Sequence, residues 1–249
     1  MVNRAMSKYS IITLGEVHST NSYALDNFSS FADKTVVFTK KQTCGRGRYN
    51  RKWCGDDSEN LYLSIVLKPD EIASYPFSNL TQYLSVVLCK YLENEFSLKP
   101  SIKWPNDILV DGCKISGILA EANNEKNKIQ GIVLGLGLNV NLKAETLENI
   151  DQKATSISVL KNNNYDVENI LKGLCDLFFD SYDEFIKNGF GFIKKDYIDR
   201  CNFLGKEITV KGVTETKKYL AISIDDNGLL VVKDDLGKES KIITGDVLC

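Results

Sequence analysis

The sequence predicts an α+β fold in which alternating strands and helices are followed by a small β barrel. Up to about residue 200, short runs of branched and aromatic residues alternate with two long amphipathic segments. Beyond that point the pattern changes to short, evenly spaced strands with Asp- and Gly-containing turns. We therefore divide the chain into residues 1–201 and 202–249. A barrel of roughly 45 residues is marginally stable alone, so we expect it to dock on the larger part.

Local sequence patterns predict the individual helices and strands. Residues 77–96 place apolar side chains on one side at helical spacing and stop before Pro100, and residues 167–186 carry a second apolar stripe. Asp111-Gly112 is a hairpin turn signal between two apolar runs. The predicted strands are residues 36–39, 61–67, 108–110, 114–120 and 129–140, then 207–211, 219–224, 229–233 and 240–243.

Composition excludes several classes of protein. With 43% hydrophobic and 26% charged residues and a formal charge of −2, the 249 residues resemble neither a disordered chain nor a strongly basic nucleic-acid binder. The seven cysteines form no CxxC pair, which argues against structural zinc and favours free thiols in a reducing cytoplasm. No apolar leader or long apolar stretch is present, so we expect a cytoplasmic protein without membrane contact. Because His18 is the only histidine, catalysis would depend on Arg, Lys and carboxylates.

The most informative segment alternates glycine and arginine before a tryptophan. Gly45 and Gly47 allow close approach of a ligand to the backbone, and Arg46 and Arg48 offer planar donor groups that match phosphate or carboxylate oxygens. Trp53 follows within a few residues. We expect the segment to be mobile when empty, because its cations repel one another, and to order around an anion. Alone, it also fits a solvated basic loop or an arginine-glycine segment that contacts RNA.

A second segment, Lys-Trp-Pro-Asn-Asp, precedes a predicted strand. Pro105 fixes its own φ and favours an extended preceding residue, so a rigid corner presents Lys103, Asn106 and Asp107. The hairpin that follows would return Lys114 close to Asp107. Alternatively, the Asn and Asp side chains bond their own backbone in a plain turn, and Lys114 is a surface lysine.

Taken together and in this order, these segments resemble biotin protein ligases. The resemblance extends from residue 15 to about residue 200, and more weakly into the C-terminal part. The matching segments are Ser19–Asn21, Gly45–Trp53, Asn60–Ser64, Lys103–Asp107, Lys114–Glu121 and Gly137–Asn139.

The resemblance implies a mixed sheet related to class II aminoacyl-tRNA synthetases, with flanking helices, and a C-terminal barrel resembling an SH3 domain. It also implies biotin, ATP and Mg²⁺ as ligands. Biotin would be activated as biotinyl-adenylate with release of pyrophosphate, and then transferred to a lysine of a biotin carboxyl carrier domain. Since the resemblance begins near residue 15, we expect no N-terminal winged helix and no nucleic-acid partner. The family implies a monomer or a homodimer.

Site residues follow from the same resemblance. The expected biotin-binding residues are Ser19, Thr20, Asn21, Gln42, Arg46, Gly47, Arg48 and Lys114. The expected ATP-binding residues are Arg46, Arg48, Trp53 on the adenine side, Asn106, Lys114 and Asn139. The expected catalytic residues are Lys114, Arg48 and Asp107. Asp107 would lie near Mg²⁺ and orient the acceptor lysine or take its proton.

Two departures from the family pattern bear on the site. Cys44 stands where a small residue often precedes the first glycine, and its thiol is either a reactive group beside arginines or a spacer. The final segment, Gly245–Cys249, resembles the family's terminal strand without its customary closing arginine, which puts any nucleotide contact of that arginine in doubt.

Three other functions stay open. A lipoate or octanoate ligase or transferase shares the catalytic fold, but those proteins carry an Arg-Arg-x-x-Gly-Gly-Gly loop with a histidine, which this sequence lacks. A non-catalytic RNA-binding module would set exposed aromatics among basic residues, whereas the aromatics here lie mostly in apolar stripes. A regulatory homologue that binds biotin without turnover is opposed by the presence of Arg46, Arg48 and Lys114.

Overall fold

The computed structural model describes residues 8–53, 59–68, 77–126, 128–150, 152–212 and 215–248. In chain order the strands are β1 (Ser10–Thr13), β2 (Glu16–Val17), β3 (Thr35–Thr39), β4 (Lys41–Gln42), β5 (Gly45–Arg46), β6 (Lys52–Trp53), β7 (Leu61–Leu67), β8 (Pro100–Lys103), β9 (Asp107–Val110), β10 (Cys113–Glu125), β11 (Lys128–Leu138), β12 (Glu207–Lys211), β13 (Thr216–Ile224), β14 (Leu230–Lys233), β15 (Glu239–Ile242) and β16 (Asp246–Leu248). The helices are α1 (Thr20–Asp26), α2 (Phe77–Phe96), α3 (Ala144–Leu147), α4 (Ile157–Lys161), α5 (Val167–Asn188) and α6 (Lys194–Ile198).

Seven strands form a mixed central sheet in the order β1-β3-β7-β11-β10-β9-β8. Only the β1–β3 pair in it is parallel among the described residues, and the remaining neighbours are antiparallel. The expected mixed sheet with flanking helices is therefore confirmed.

Helices cover both faces of the centre of this sheet. Val36 and Phe38 of β3 belong to the main core together with α2 and α5, while Val37 points the other way and joins Ala24 of α1. Successive strand residues alternate between faces, so burial on both sides explains why the predicted strands read as continuous apolar runs. The first helix thus reaches the face opposite the two long ones.

The long helices form where the sequence predicts them. α2 spans the predicted residues, and α5 extends two residues beyond its predicted end. Asp166 caps α5 by accepting a hydrogen bond from the Glu168 amide, and Gly189, with φ of 61°, follows its last residue. Tyr83 of α2 stacks on Phe185 of α5 with ring centroids 4.4 Å apart.

The second sheet is antiparallel and five-stranded, in the order β15-β14-β13-β12-β16. Its four predicted strands are confirmed with small shifts at their ends, and β16 lies in the final segment that resembles the family's terminal strand. Its buried residues, such as Val210, Val232 and Val247, belong to the same core as the central sheet. The expected docking is confirmed, and we propose residue 202 as the boundary between the two parts.

A tight turn of the second sheet inserts against the first part. Gly228 lies at φ of 80° between β13 and β14. Its carbonyl accepts hydrogen bonds from Gln82 Nε2 at 2.7 Å and from Trp104 Nε1 at 3.2 Å. Asn79 Nδ2 donates to the neighbouring Asn227 carbonyl at 3.0 Å. Three buried polar side chains thus fix the turn to α2 and to the Trp104–Pro105 corner, whose peptide bond is cis.

The short elements that were not predicted are β1, β2, β4, β5, β6, β8, α1, α3, α4 and α6. Each contains too few residues for a periodic pattern to emerge from the sequence. Asn162, at φ of 51°, ends α4. Within the described residues, no helix combines the length and apolarity required to cross a bilayer.

We predict that Gly228→Ala destabilises the protein more than Gly237→Ala does. Both glycines have φ near 80°, so alanine at either site strains the backbone, at a cost of about 1–3 kcal/mol. Only at Gly228 would the new Cβ meet other atoms, 2.3 Å from Gln82 Oε1 and 2.6 Å from Asn79 Nδ2, whereas Gly237 has open space. Thermal unfolding should show Gly228→Ala lower in Tm by at least about 4 °C relative to the control. Equal Tm values for the two variants would contradict this account of the turn.

Candidate active site

One cavity of about 760 Å³ lies between the arginine-glycine segment (residues 45–53), the β9–β10 hairpin, β11 and the edge of the second sheet. Its volume is within the range of small-molecule sites, about 300–1,000 Å³. Most of the predicted site residues line it: Thr20, Asn21, Gln42, Arg46, Gly47, Arg48, Trp53, Asn106, Asp107 and Lys114.

A buried polar cluster forms one end of the cavity, at the start of α1. The Thr20 amide donates to Gln42 Oε1 at 2.7 Å, and the Thr20 hydroxyl lies 3.2 Å from the same oxygen. Ser64 Oγ of β7 lies 2.8 Å from Thr20 Oγ1 and 2.6 Å from Asn21 Oδ1. The side-chain amide of Asn21 donates a hydrogen bond to Glu121 Oε2 at 2.9 Å. This network fixes donors and acceptors in place for a polar ligand group.

Glycines on the two central strands form a flat floor on which Trp53 lies. A Cβ at Gly117 or Gly137 would fall 2.7 Å from the Trp53 ring. These two glycines face each other in the β10–β11 register, so the indole covers the backbone of both strands. Trp53 Nε1 is buried and has no hydrogen-bond acceptor among the described residues. The ring lines the cavity, and its contact with adenine stays a prediction.

The β9–β10 hairpin brings Lys114 to Asp107. Lys114 Nζ lies 2.8 Å from Asp107 Oδ1, and Lys103 Nζ lies 3.5 Å from Asp107 Oδ2. Gly117 pairs directly with Asp107 in the strand register. Lys114 Nζ also lies 5.2 Å from the centroid of the Trp53 ring. The predicted approach of Lys114 to Asp107 is confirmed, and the carboxylate has a second ammonium that the sequence did not indicate.

Both arginines of the segment bind carboxylates from elsewhere in the chain. Arg46 Nη2 donates to Glu121 Oε1 at 2.7 Å. Arg48 Nη1 lies 3.2 Å from Asp246 Oδ1 and donates to Asn106 Oδ1 at 3.1 Å. Asp246 also pairs with Arg51, through its other oxygen. The sequence predicts repulsion among these cations, and the structure shows the acids that offset it.

Positive charge dominates the cavity lining. Seven cationic side chains and the carboxylates of Asp107 and Asp246 line the cavity among the described residues. The cations are Arg46, Arg48, Arg51, Lys52, Lys103, Lys114 and Lys211. Such an excess attracts and stabilises a polyanion in a partly water-excluded space.

Two predicted site residues lie outside the cavity lining. Ser19 is buried and caps α1, where its hydroxyl accepts from the Ser22 amide. Asn139 is buried, and its side-chain amide donates to the Thr155 carbonyl at 2.9 Å. Their direct contacts with ligand stay predictions. Ser19 positions the start of α1, and Asn139 positions the segment that follows Lys153. The Lys153 carbonyl in turn accepts a hydrogen bond from the backbone amide of Lys114.

Sequence reasoning missed several lining residues. Asp246 and Lys211 come from the second sheet, and Gln152 comes from the segment after α3. Lys211 and Gln152 belong to no motif with a recognisable spacing, and for Asp246 the resemblance of the final segment to the family's terminal strand implied no role. Arg51 and Lys52 lie within the matching segment Gly45–Trp53, but the resemblance implies no role for either residue.

The cysteines do not contribute nucleophiles to the described part of the site. Burial raises the pKa of the Cys175 thiol to about 12, and also raises the pKa of the Cys89 and Cys201 thiols well above the usual range. Such thiols stay protonated near neutral pH and are unreactive. Cys44 is exposed and lies outside the cavity lining.

Comparison with known proteins assigns the fold to a class of enzyme. The family model described as "Biotin/lipoate A/B protein ligase family" matches residues 14–139, and the chain belongs to this family. Similar proteins of known structure or function include several biotin protein ligases.

Solved and curated relatives resemble this chain over most of its length. A structure of the Aquifex aeolicus biotin protein ligase in complex with biotin and ATP has a TM-score of 0.82 and 25% identity, covering 96% of this chain and 97% of that one. The biotin–[acetyl-CoA-carboxylase] ligase of Paracoccus denitrificans is 27% identical over 91% of this chain and 95% of its own length. The bifunctional ligase/repressor BirA of Bacillus subtilis is 29% identical over 86% of this chain. The chain spans 65% of that relative's length.

We predict that Gly137→Ala displaces the Trp53 ring from the cavity floor, because the new Cβ would fall 2.7 Å from Trp53 Cε2. The tryptophan fluorescence maximum should move to longer wavelength as the indole becomes exposed to water. Gly191→Ala is the matched control, since nothing lies within 4 Å of its Cβ position. If Gly137→Ala and the control give the same emission spectrum as the wild type, the described contact between Trp53 and the glycine floor is wrong.

Proposed function

We propose that this chain is an ATP-dependent biotin protein ligase. It forms biotinyl-5′-AMP and pyrophosphate from biotin and ATP, and then transfers biotin to the ε-amine of a lysine on a biotin carboxyl carrier domain. One observation carries the proposal: the cations of Arg46, Arg48 and Lys114 line the same cavity as the buried polar residues Thr20 and Asn21. The similar Aquifex aeolicus structure, which holds biotin and ATP, supports it.

The polar and apolar parts of the cavity lining suit the polar ring and the hydrocarbon part of biotin. The cluster at Thr20, Asn21 and Gln42 offers amide and hydroxyl groups to the polar ureido ring. Leu119 and Leu136 offer apolar contact to the hydrocarbon part. Since a buried polar group without a partner is costly, an analogue lacking the ureido groups should bind poorly.

The first step joins two anions. A carboxylate oxygen of biotin attacks the α-phosphorus of ATP, the bond from that phosphorus to the bridging oxygen breaks, and pyrophosphate leaves with the electron pair. Biotin and the triphosphate repel each other, so Arg46, Arg48 and Lys114 together offset the charge that converges there. Holding both reactants in line in one cavity adds the advantage of orientation, worth up to about 7–11 kcal/mol in well-aligned systems.

The second step transfers the acyl group. The ε-amine of the acceptor lysine attacks the carbonyl carbon of biotinyl-AMP, an amide bond forms, AMP leaves, and the amine loses a proton. Asp107 lines the cavity with its carboxylate between Lys103 and Lys114, where ammonium groups already bind it. An incoming ammonium of the same chemistry could replace one of them, so we assign Asp107 to orienting the acceptor lysine and accepting its proton.

Magnesium enters this scheme with the nucleotide. Within the described residues, no group of three or more His, Cys, Asp and Glu side chains could hold a metal ion. Mg²⁺ commonly binds through one or two carboxylates together with substrate phosphates. The resemblance implies Asp107 for that role, and both of its oxygens lie near ammonium groups, so we treat Mg-ATP as the substrate.

The direct test is biotin transfer. The protein is incubated with biotin, Mg-ATP and a biotin carboxyl carrier domain, and the acceptor is weighed by mass spectrometry. We expect a gain of one biotin, dependent on ATP, and no gain with lipoate or octanoate. Labelling with lipoate in place of biotin would favour the other branch of the family. Absence of both labelling and biotin-dependent exchange of pyrophosphate into ATP would contradict the proposal.

We predict that Arg48→Gly keeps adenylate formation but releases the intermediate. Arg48 bridges the cavity wall at Asn106 to Asp246 of the second sheet, so its loss would open the segment that shields the mixed anhydride from water. Bystander proteins mixed with the variant, biotin and Mg-ATP should then gain biotin on many lysines, read by streptavidin blot. Lys218→Ala, an exposed lysine outside the cavity lining, serves as the control. Bystander labelling no greater than that of the wild type would mean that Arg48 does not retain the intermediate.

A further inference from the structure

The second sheet presents one face of β12 and β16 to the cavity. Lys211 and Asp246 are direct partners in the β12–β16 register, and directly opposed residues of an antiparallel pair project from the same face. The next pair, Val210 and Val247, is buried in the core on the opposite face. Lys211, Asp246 and Leu248 accordingly line the cavity. The second sheet thus supplies a cation to the site as well as a carboxylate.

Lys211 differs from most cations of the cavity because it forms no ion pair with a carboxylate of the described residues. Asp246, directly across from it, binds Arg48 and Arg51 instead. Arg46 pairs with an acid in the same manner, and so does Lys114. Among the described residues of the lining, only Lys52 and Lys211 form no ion pair, and Lys52 belongs to the arginine-glycine segment itself. Lys211 is therefore the unpaired cation that the second sheet contributes to the cavity lining.

We propose that Lys211 binds the outer phosphates of ATP, which leave as pyrophosphate. This inference rests on the proposed function. With the α-phosphate at Lys114 and Arg48, the rest of the triphosphate needs further cations. Arg48 contacts Asp246, whose strand partner is Lys211, so Lys211 lies beside the carboxylate that binds Arg48. Its ammonium, on a flexible four-carbon stem, suits a phosphate chain as a mobile point charge.

The test compares ATP with AMP, which lacks the outer phosphates. Isothermal titration of the full chain measures the Kd of ATP without biotin, so that no adenylate forms, together with the Kd values of AMP and of biotin. We expect Lys211→Ala to weaken ATP binding about tenfold, as for loss of one charge-assisted phosphate contact. The Kd values for AMP and biotin should stay within twofold. Lys211→Arg should restore most of the ATP affinity, and Lys218→Ala on the neighbouring strand β13 should match the wild type.

Each other outcome overturns the inference. If Lys211→Ala weakens AMP as much as ATP, Lys211 acts on the adenosine, on the α-phosphate or on the fold. If the variant binds ATP like the wild type while the wild type labels the acceptor, this inference fails and the proposed function stands. A wild type that binds neither biotin nor ATP contradicts both.

Discussion

Several guanidinium and ammonium groups around one cavity repel each other strongly unless anions lie among them. The reason is that like charges a few ångströms apart repel by several kcal/mol when they are partly withdrawn from bulk water. Three carboxylates from separate parts of the chain provide that compensation. Glu121 extends from β10, Asp107 begins β9, and Asp246 begins β16. Each binds at least one cation of the cavity, so the positive groups are already oriented before any phosphate arrives. A ligand must then exchange its own oxygens for those of the carboxylates, which favours ligands that carry several negative charges.

The central sheet makes this arrangement possible through its glycines. Where β10 and β11 face each other, Gly117 and Gly137 leave the backbone uncovered, and the Trp53 ring fills that space. Gly135 gives Asn21 the same access, since a Cβ there would fall 2.0 Å from its Oδ1. Side chains from α1 and from the arginine-glycine segment thereby approach one another across the sheet. Bulkier residues would separate the polar end of the cavity from its cationic end.

The sequence predicted much of this because the important relations were local. Lys114 follows Asp107 through a short hairpin with a strong turn signal, so their contact could be inferred from spacing alone. Long helices such as α2 were recognised because twenty residues show a clear period. By contrast, the Arg48–Asp246 pair joins residues 198 positions apart, and no local pattern indicates it. For Asn139, the family resemblance implies proximity to the nucleotide, which stays a prediction, and the structure adds the bond from its side-chain amide to the Thr155 carbonyl.

The turn that carries Gly228 ties the two parts of the molecule together at a point close to the cavity. Its carbonyl accepts from Trp104, which immediately follows Lys103, and from Gln82 of α2. Engineers often build chimaeras by grafting the C-terminal region of one relative onto the rest of another. In this protein such a graft would also need to transfer Asn79 and Gln82 of α2. A foreign turn that met other side chains at these positions would shift the corner that holds Asp107.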